Sequence, residues 1–296
     1  MLKPKDSRRL LERYRITSGR GFRLSDHDPA DTGGKLIREE DGAALLAAGI
    51  ARLSDLQELI YPHSSWALLC IFQAMDAAGK DGTIKHVMSG VNPQGVQVTA
   101  FKAPGPEELG HDFLWRVSRA LPARGHIGIF NRSHYEEVLV ARVHPELLER
   151  QGIPEPLRGR KIWDQRLADI AQWEAYLARQ GTVILKFFLH VSKDQQKRRF
   201  FERLDNPSKN WKFNPGDISE RARWDDYMHA YEQAIRATAT PLAPWYVVPA
   251  DEKWFTRLVV VSAMIEALEK LQLKPPQAPP EIRAELARMR ATLEAE

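Results

Sequence analysis

The chain has 296 residues, of which 43% are hydrophobic, and this suits one large α/β domain with a substantial core. No apolar stretch reaches the roughly 20 residues that span a membrane, and residues 1–20 lack the apolar segment of a secretory signal. A single cysteine, Cys70, excludes an intrachain disulfide and a cysteine metal site, and it agrees with a cytoplasmic location. The formal net charge of +4 favours an anionic ligand, with phosphates and nucleic acid as the two candidate classes.

Short apolar runs alternate with amphipathic segments along the chain. Residues 1–35 contain few apolar side chains and are predicted to form an extended arm, whereas residues 36–61 show the apolar spacing of a helix. Continuous apolar runs of four to eight residues are typical of strands that are buried on both faces. Five such strands are predicted, at residues 66–72, 96–101, 127–130, 182–189 and 245–248.

Helical segments are predicted between and after these strands. They cover residues 83–89, a segment from Pro106, and residues 162–180, 193–203, 219–238, 255–271 and 281–296, with a loop at 205–217. This alternation predicts a three-layer α/β/α fold around a parallel five-stranded sheet. The predicted division is an N-terminal arm and helix at 1–61, a main domain at 62–272, and a Pro-rich break with a C-terminal helix at 273–296.

Polar segments follow three of the predicted strands, after Phe72, Phe130 and Leu189. In an open parallel sheet, ligands bind beyond the carboxyl ends of the strands. The three segments are therefore expected to form one shared site.

The first polar segment, Ala74–Gly82, lies between a predicted strand and a predicted helix, as a phosphate-binding loop does. Its backbone N–H groups would hold phosphate oxygens, and Lys80 would add a positive charge. Asp81 stands where the usual G-x-x-x-x-G-K-S/T pattern has Ser or Thr, but Asp76 offers a carboxylate ligand for Mg²⁺. The alternative is a plain strand-to-helix turn with a cap. The predicted phosphate-binding residues are Ala77, Ala78, Gly79, Lys80, Asp81, Gly82, Thr83, Lys85 and Arg132.

The second polar segment, Phe130–Glu137, offers Arg132 as a bidentate phosphate ligand. The alternative is that Asn131 or Ser133 caps a helix that begins near Tyr135. The residues alone leave both interpretations open.

The third segment is a basic run with aromatic residues in it, and residues 193–217 are predicted to form a lid that closes over phosphates. The predicted lid cations are Arg198, Arg199, Lys209 and Lys212. The first alternative is a solvated basic face. The second is a nucleic-acid-binding module, for which Trp211 would provide a stacking surface.

Taken together, several stretches make the chain similar to the family-2 polyphosphate kinases. These stretches are Gln73–Gly82, Gly90–Gly95, Phe130–Tyr135 and Arg203–Pro207 with Trp211–Lys212, and weaker matches at 244–245 and 251–253. The resemblance spans roughly residues 26–271. It implies a thymidylate-kinase-like fold with a helical lid, and a Mg²⁺-dependent transfer, with Mn²⁺ as a substitute, between inorganic polyphosphate and adenine nucleotides.

The same resemblance implies a wider nucleotide range that includes guanine, a homodimer or homotetramer, and no membrane or nucleic-acid partner. An ATP-dependent kinase of a nucleotide or small metabolite is the alternative enzyme.

The resemblance also implies roles for individual residues. Asp76 matches the loop aspartate that binds magnesium, Lys80 the phosphate lysine, and Arg132 an arginine that contacts phosphate, so these three are the expected catalytic residues. Glu136 and Glu137 are the expected nucleotide-side residues, one of them contacting the acceptor base or the metal.

Asn131 is a departure, because many family members have Asp there. An amide is a weak metal ligand, so Asn131 is not expected to be the second acidic ligand. The sequence Asn131–Tyr135 resembles the class whose members accept both AMP and ADP.

Overall fold

The computed structural model describes residues 2–275, 277 and 279–296 of the chain. Within these residues the central sheet has six strands: β1 (Arg15–Ile16), β2 (Ala67–Ala74), β3 (Val96–Ala100), β4 (Ile127–Asn131), β5 (Thr182–His190) and β6 (Trp245–Pro249). Their order is β1-β6-β5-β2-β4-β3. The predicted parallel strands are confirmed as β2 to β6, and β1 adds a sixth, antiparallel strand beside β6.

Twelve α-helices lie within the described part of the chain: α1 (Pro4–Tyr14), α2 (Glu39–His63), α3 (Lys80–Val87), α4 (Pro106–Leu109), α5 (Trp115–Arg119), α6 (Val140–Val143), α7 (Ile162–Arg179), α8 (Lys193–Leu204), α9 (Gly216–Ala222), α10 (Trp224–Thr238), α11 (Lys253–Glu269) and α12 (Pro280–Glu294). One group contains α1, α2, α3 and α11, and another contains α7 and α10. Because β5 contacts both α7 and α11, the sheet lies between two helical layers, and the predicted α/β/α architecture is confirmed.

Burial on both faces explains why the strands read as continuous apolar runs. Every residue of β2 and of β6 is buried. Phe72 of β2 stacks on Phe187 of β5 with ring centroids 4.9 Å apart. Each fully buried side chain of this size contributes about 1.5–3 kcal/mol of hydrophobic stabilisation. The sheet is therefore a rigid platform for the polar segments at its carboxyl ends.

The predicted extended arm is wrong for residues 4–14, which form α1. Pro4 occupies the first turn, where its missing N–H costs nothing, and Leu10, Leu11 and Tyr14 are buried at 0%, 0% and 3% exposure. The other side chains of this helix are mostly charged, so its apolar stripe is too narrow to be recognised from sequence. The helix packs on α11 and brings β1 to the edge of the sheet.

The predicted loop at 205–217 contains a 3₁₀ turn, Pro207–Lys212, and the start of α9. The side chain of Asn206 accepts a hydrogen bond from the Ser208 backbone N–H at 3.0 Å and so caps that turn. The single helix predicted at 219–238 is two helices, which meet at Arg223. The division of the chain at residues 61 and 272 stays a prediction. Across the residues described, no helix is long and apolar enough to cross a membrane.

Candidate active site

A cavity of about 370 Å³ opens beyond the carboxyl ends of β2, β3 and β4. Residues 75–82 form one wall, and residues 100–102 and 131–132 form another. Three acidic residues and seven basic residues line it, and the basic ones are Lys80, Lys102, Arg132, Arg199, Arg203, Lys209 and Lys253. Such an excess of cations around one concave surface favours a polyanionic ligand.

The wall at 75–82 is a strand-to-helix loop with an unusual backbone. Ala77 adopts φ +60° and Gly79 adopts φ +103°, both in the left-handed region. Left-handed φ is strained for a residue with a side chain, and such residues cluster at functional sites. Gly79 is also the residue before α3, and the first N–H groups of that helix have no capping side chain there. The loop therefore presents uncapped N–H groups at a helix N-terminus, a feature that binds phosphate groups in many proteins.

Arg199, on α8, supports this loop from inside the protein. Its guanidinium donates to the carbonyls of Ala77 at 3.0 Å and Ala78 at 2.8 Å. It also donates to the carbonyls of Ala250 at 2.6 Å and Asp251 at 2.9 Å. Arg199 is only 4% exposed, and burial lowers its pKa. The sequence predicts a lid cation here, whereas the structure places this side chain at the base of the loop.

Lys80 begins α3 and lines the cavity. Its Nζ donates to the carbonyl of Ala74 at 2.8 Å, which folds the side chain back along the loop. Burial, followed by the nearby Arg132 cation, lowers the pKa of Lys80, and the Asp76 carboxylate opposes this shift. An anion beside Lys80 would relieve the repulsion between the two cations.

Arg132 follows β4 and connects two carboxylates. Its Nη2 lies 3.2 Å from Asp76 Oδ1, and its Nη1 lies 3.2 Å from Glu136 Oε2. Its backbone has φ +65°, again left-handed. Glu136 raises the pKa of Arg132 against the effect of burial, so the guanidinium is a permanent cation. Asp76, Arg132 and Glu136 thus form one charged row at the cavity wall.

The sequence leaves two interpretations of this segment open: a phosphate ligand at Arg132, or a helix cap at Asn131 or Ser133. The Ser133 hydroxyl accepts a hydrogen bond from the Tyr135 N–H at 3.1 Å and caps the 3₁₀ turn His134–Glu137. Asn131 instead donates through its amide to Asp81 at 2.7 Å. The cap therefore exists, but Ser133 provides it, and Arg132 is left to face the cavity.

A second cavity of about 230 Å³ adjoins the first, with Arg132 in both walls. Glu136 and Glu137 both line this second cavity. Glu137 accepts a hydrogen bond from Gln151 at 2.6 Å and lies 3.4 Å from Arg116. The two predicted nucleotide-side residues therefore lie beside Arg132, on the side away from the phosphate loop.

Not every predicted residue lines the first cavity. Thr83 is buried in α3, Lys85 is exposed on the same helix, and Arg198 is exposed on α8, and all three lie outside the lining. Lys209 does line it. The side chain of Lys212 lies outside the described part of the structure.

Lys102 lines the cavity but belongs to no motif, and its only signal is its place just after β3. Lys253 also lines the cavity, and it lies in the weak match at 251–253. Asp217, in the stretch predicted to be a loop, lies 3.2 Å from Arg203. Burial, followed by the Asp76 carboxylate, raises the pKa of Asp217, so these two acidic groups are close enough to interact.

A magnesium ion suits this chemistry. No group of three or more His, Cys, Asp or Glu side chains in the described residues is arranged to hold a metal. Mg²⁺ usually needs only one or two protein carboxylates, because substrate phosphates and waters complete its shell. Asp76 is 28% exposed at the cavity wall and offers such a carboxylate. The residues present therefore fit a metal that arrives with the phosphate substrate.

Residues 36–276 match the family model described as Polyphosphate kinase 2. The ADP-polyphosphate phosphotransferase of Rhodopseudomonas palustris is 52% identical over 250 residues, which cover 84% of this chain and 86% of the relative. The AMP/ADP-polyphosphate phosphotransferase of Meiothermus ruber is 45% identical over 267 residues, which cover 90% and 96%. The crystal structure of a polyphosphate kinase 2 from Arthrobacter aurescens superposes with a TM-score of 0.86 at 46% identity, covering 95% of this chain and 96% of that one.

Proposed function

Because the chain belongs to the polyphosphate kinase 2 family, we propose that it transfers phosphoryl groups from inorganic polyphosphate to AMP and ADP. The observation that carries this proposal is the cavity with seven basic residues around a phosphate-type loop. A long polyanion needs that many cations, because each phosphate unit that leaves water must be compensated by a nearby positive charge.

In this proposal the chain's own residues position phosphates and neutralise charge, since phosphoryl transfer requires little covalent work from the protein. The N–H groups of residues 79–82, at the uncapped start of α3, and the ammonium group of Lys80 hold the oxygens of the transferring phosphate. Asp76 would hold Mg²⁺, and that ion would neutralise further charge on the phosphate oxygens when bound. Arg132 holds the acceptor phosphate from the opposite wall.

The acceptor nucleotide occupies the second cavity, with its phosphate toward Arg132. Glu136 keeps the guanidinium in place at 3.2 Å, and Glu137 contributes to the wall that faces the nucleoside. Anchoring through the phosphate, more than through the base, would let AMP and ADP present their terminal phosphates at the same transfer point. The resemblance of Asn131–Tyr135 to the broad-acceptor class supports both substrates.

Residues 200–217 close over the polyphosphate in this scheme, with Lys209 among the cations that contact it. We also predict a cytoplasmic location and a homodimer or homotetramer.

The test is a time course that starts from AMP, polyphosphate and Mg²⁺ without ATP, with the nucleotides separated by chromatography.

We expect ADP to rise first and ATP to follow. If ADP accumulates and no ATP forms with fresh polyphosphate, the acceptor is AMP alone. If ATP, supplied in place of polyphosphate, phosphorylates AMP to ADP faster than polyphosphate does, the enzyme is an ATP-dependent kinase and the proposal is wrong.

A further inference from the structure

We propose that the buried Lys186–Glu174 ion pair and the Tyr135 hydroxyl form a positioning unit that fixes Arg132 for phosphoryl transfer. This inference rests on the proposed function. It concerns a polar network below the site, and none of its members lines the two cavities described above.

The segment after β4 divides its side chains between the cavities and the interior. Asn131 and Arg132 line the cationic cavity, and Glu136 lines the one beside it. The residues in between, Ser133, His134 and Tyr135, each have 0% exposure. The position of Arg132 is therefore set by what holds its buried neighbours.

Tyr135 is held by a charged pair in the middle of the protein. Its hydroxyl donates to Glu174 Oε1 at 2.8 Å and accepts from Lys186 Nζ at 3.2 Å. Lys186 also pairs with the Glu174 carboxylate and donates to the carbonyl of Thr238 at 2.8 Å. All three protons of the ammonium group thus have acceptors. The network joins the segment after β4 to β5, α7 and the end of α10.

Stability alone does not explain this arrangement. Lys186 interrupts the apolar strand β5 and has 0% exposure, and Glu174 has 1%. Replacing such a buried pair by well-packed apolar residues is often neutral or stabilising, because desolvation opposes the Coulomb attraction. What apolar residues could not do is hold a hydroxyl group in one place through directed hydrogen bonds.

The position that needs fixing is the backbone of Arg132. Its φ of +65° is strained for a residue with a side chain, and such a conformation persists only where the surroundings determine it. Directly after it, Ser133 is fixed by its hydrogen bond to Gln73 of β2 at 2.9 Å. Two residues further on, Tyr135 is fixed by Glu174 and Lys186. The strained residue is thus followed by two buried anchors, and its guanidinium is directed between Asp76 and Glu136.

The experiment compares two buried tyrosines by removing one hydroxyl from each. Tyr135→Phe removes the hydrogen bonds of the hydroxyl with Glu174, Lys186 and Thr238, while Tyr14→Phe removes one to Asp31, 2.8 Å long, in the N-terminal region. A small displacement of a positioning group costs up to about 100-fold in rate, so we expect Tyr135→Phe to lower kcat roughly 10- to 100-fold. Tyr14→Phe should keep the wild-type kcat, although it also loses a partly buried hydrogen bond.

The decisive readout is a double-mutant cycle with Arg132→Ala. If Tyr135 acts through Arg132, adding Tyr135→Phe to Arg132→Ala lowers kcat no further. Glu174→Gln, which keeps an acceptor oxygen but removes the charge, should reproduce the loss in kcat. An unchanged kcat in Tyr135→Phe, or losses that multiply in the cycle, would overturn the positioning role. Failure of the proposed function is distinguishable, because the wild-type protein itself would then form no ADP or ATP from polyphosphate.

Discussion

Two cavities at the carboxyl edge of the same sheet have opposite character. The one beyond β2, β3 and β4 has a volume of about 370 Å³ and seven basic residues in its wall. The one beyond β5 and β6 is larger, about 450 Å³, but its wall contains Asp26, Asp28 and Asp31 beside His27 and His190. The acidic cavity is the larger of the two, but the basic wall of the cationic cavity makes that one the better site for a phosphate ligand.

The charges of the two cavities also differ in how they are compensated. In the acidic cavity, Asp31 is paired with Arg13 at 2.8 Å and with the Tyr14 hydroxyl at 2.8 Å. In the cationic cavity, burial and then the nearby Arg132 cation lower the pKa of Lys80, and seven basic residues face only three acidic ones. Paired opposite charges stabilise the folded protein. An excess of like charges is repulsive, and it becomes favourable only when a ligand of opposite charge binds. The phosphate site is thus recognised by its excess of basic over acidic residues.

The largest expected effect comes from removing charge at the phosphate loop. Asp76→Asn and Lys80→Ala should each reduce turnover by about 10²-fold or more, because each removes a charge directed at the reacting phosphate and costs several kcal/mol of transition-state stabilisation. The measurement is steady-state turnover with AMP and polyphosphate. The matched changes in the acidic cavity, Asp28→Asn and Arg13→Ala, should leave turnover unchanged. If variants in both cavities lost turnover to a similar degree, the cationic cavity could not be singled out as the catalytic site.

A smaller effect is expected at the rim of the cationic cavity. Lys209→Ala should raise the KM for polyphosphate several-fold at low salt, and added salt should reduce the difference, since exposed charges are screened. Lys197 is the matched control, because it is an exposed lysine of α8 outside the cavity lining. Equal KM values for the two variants, measured at two ionic strengths, would show that Lys209 does not contact the substrate.

The acidic cavity should affect folding stability and leave turnover unaffected. Burial, followed by the nearby His27, lowers the pKa of His190 from 6.5 to about 4. Between these two pH values His190 is protonated in the unfolded chain and neutral in the folded protein. The free energy of unfolding should therefore fall as the pH drops from about 6.5 toward 4. The loss should reach about 2 kcal/mol by pH 5, at 1.36 kcal/mol per pKa unit. Denaturant unfolding at pH 7 and pH 5 measures it.

His190→Gln provides the control for this pH dependence, because glutamine has no group that titrates in this range. Its stability should change less between pH 7 and pH 5 than that of the wild type, and its turnover at pH 7 should match. The same pH dependence in both proteins would assign the effect to other groups.

Local patterns in the sequence predict the parts of the molecule that local interactions build. The five parallel strands, the loop at Asp76 and Lys80, and the placement of Arg132 after β4 all follow from residues that are close in sequence. The helix α1 does not, because its burial depends on only three apolar side chains that reach α11.

The sequence predicts that the polar segments after β2, β4 and β5 meet, but the individual side-chain contacts between distant residues could not be predicted. The partners of Arg199 lie 51 to 122 residues away in sequence, and Lys186 reaches Tyr135 across 51 residues. A basic residue in a helix and a lysine in a strand have many possible partners, and only the folded topology selects among them. The sequence therefore shows which residues carry charge, while the structure shows which of those charges are already neutralised.

The hydrogen bonds of Arg199 also limit how the protein can move. This side chain fastens α8 to the carbonyls of the phosphate loop and to those after β6, so the first half of α8 belongs to the rigid body of the domain. If the residues that follow close over the substrate as proposed, the motion would pivot on the carboxyl side of Arg199, between it and the 3₁₀ turn at Pro207–Lys212. Closure would sweep Lys209 through a short arc while the geometry of the loop stays fixed.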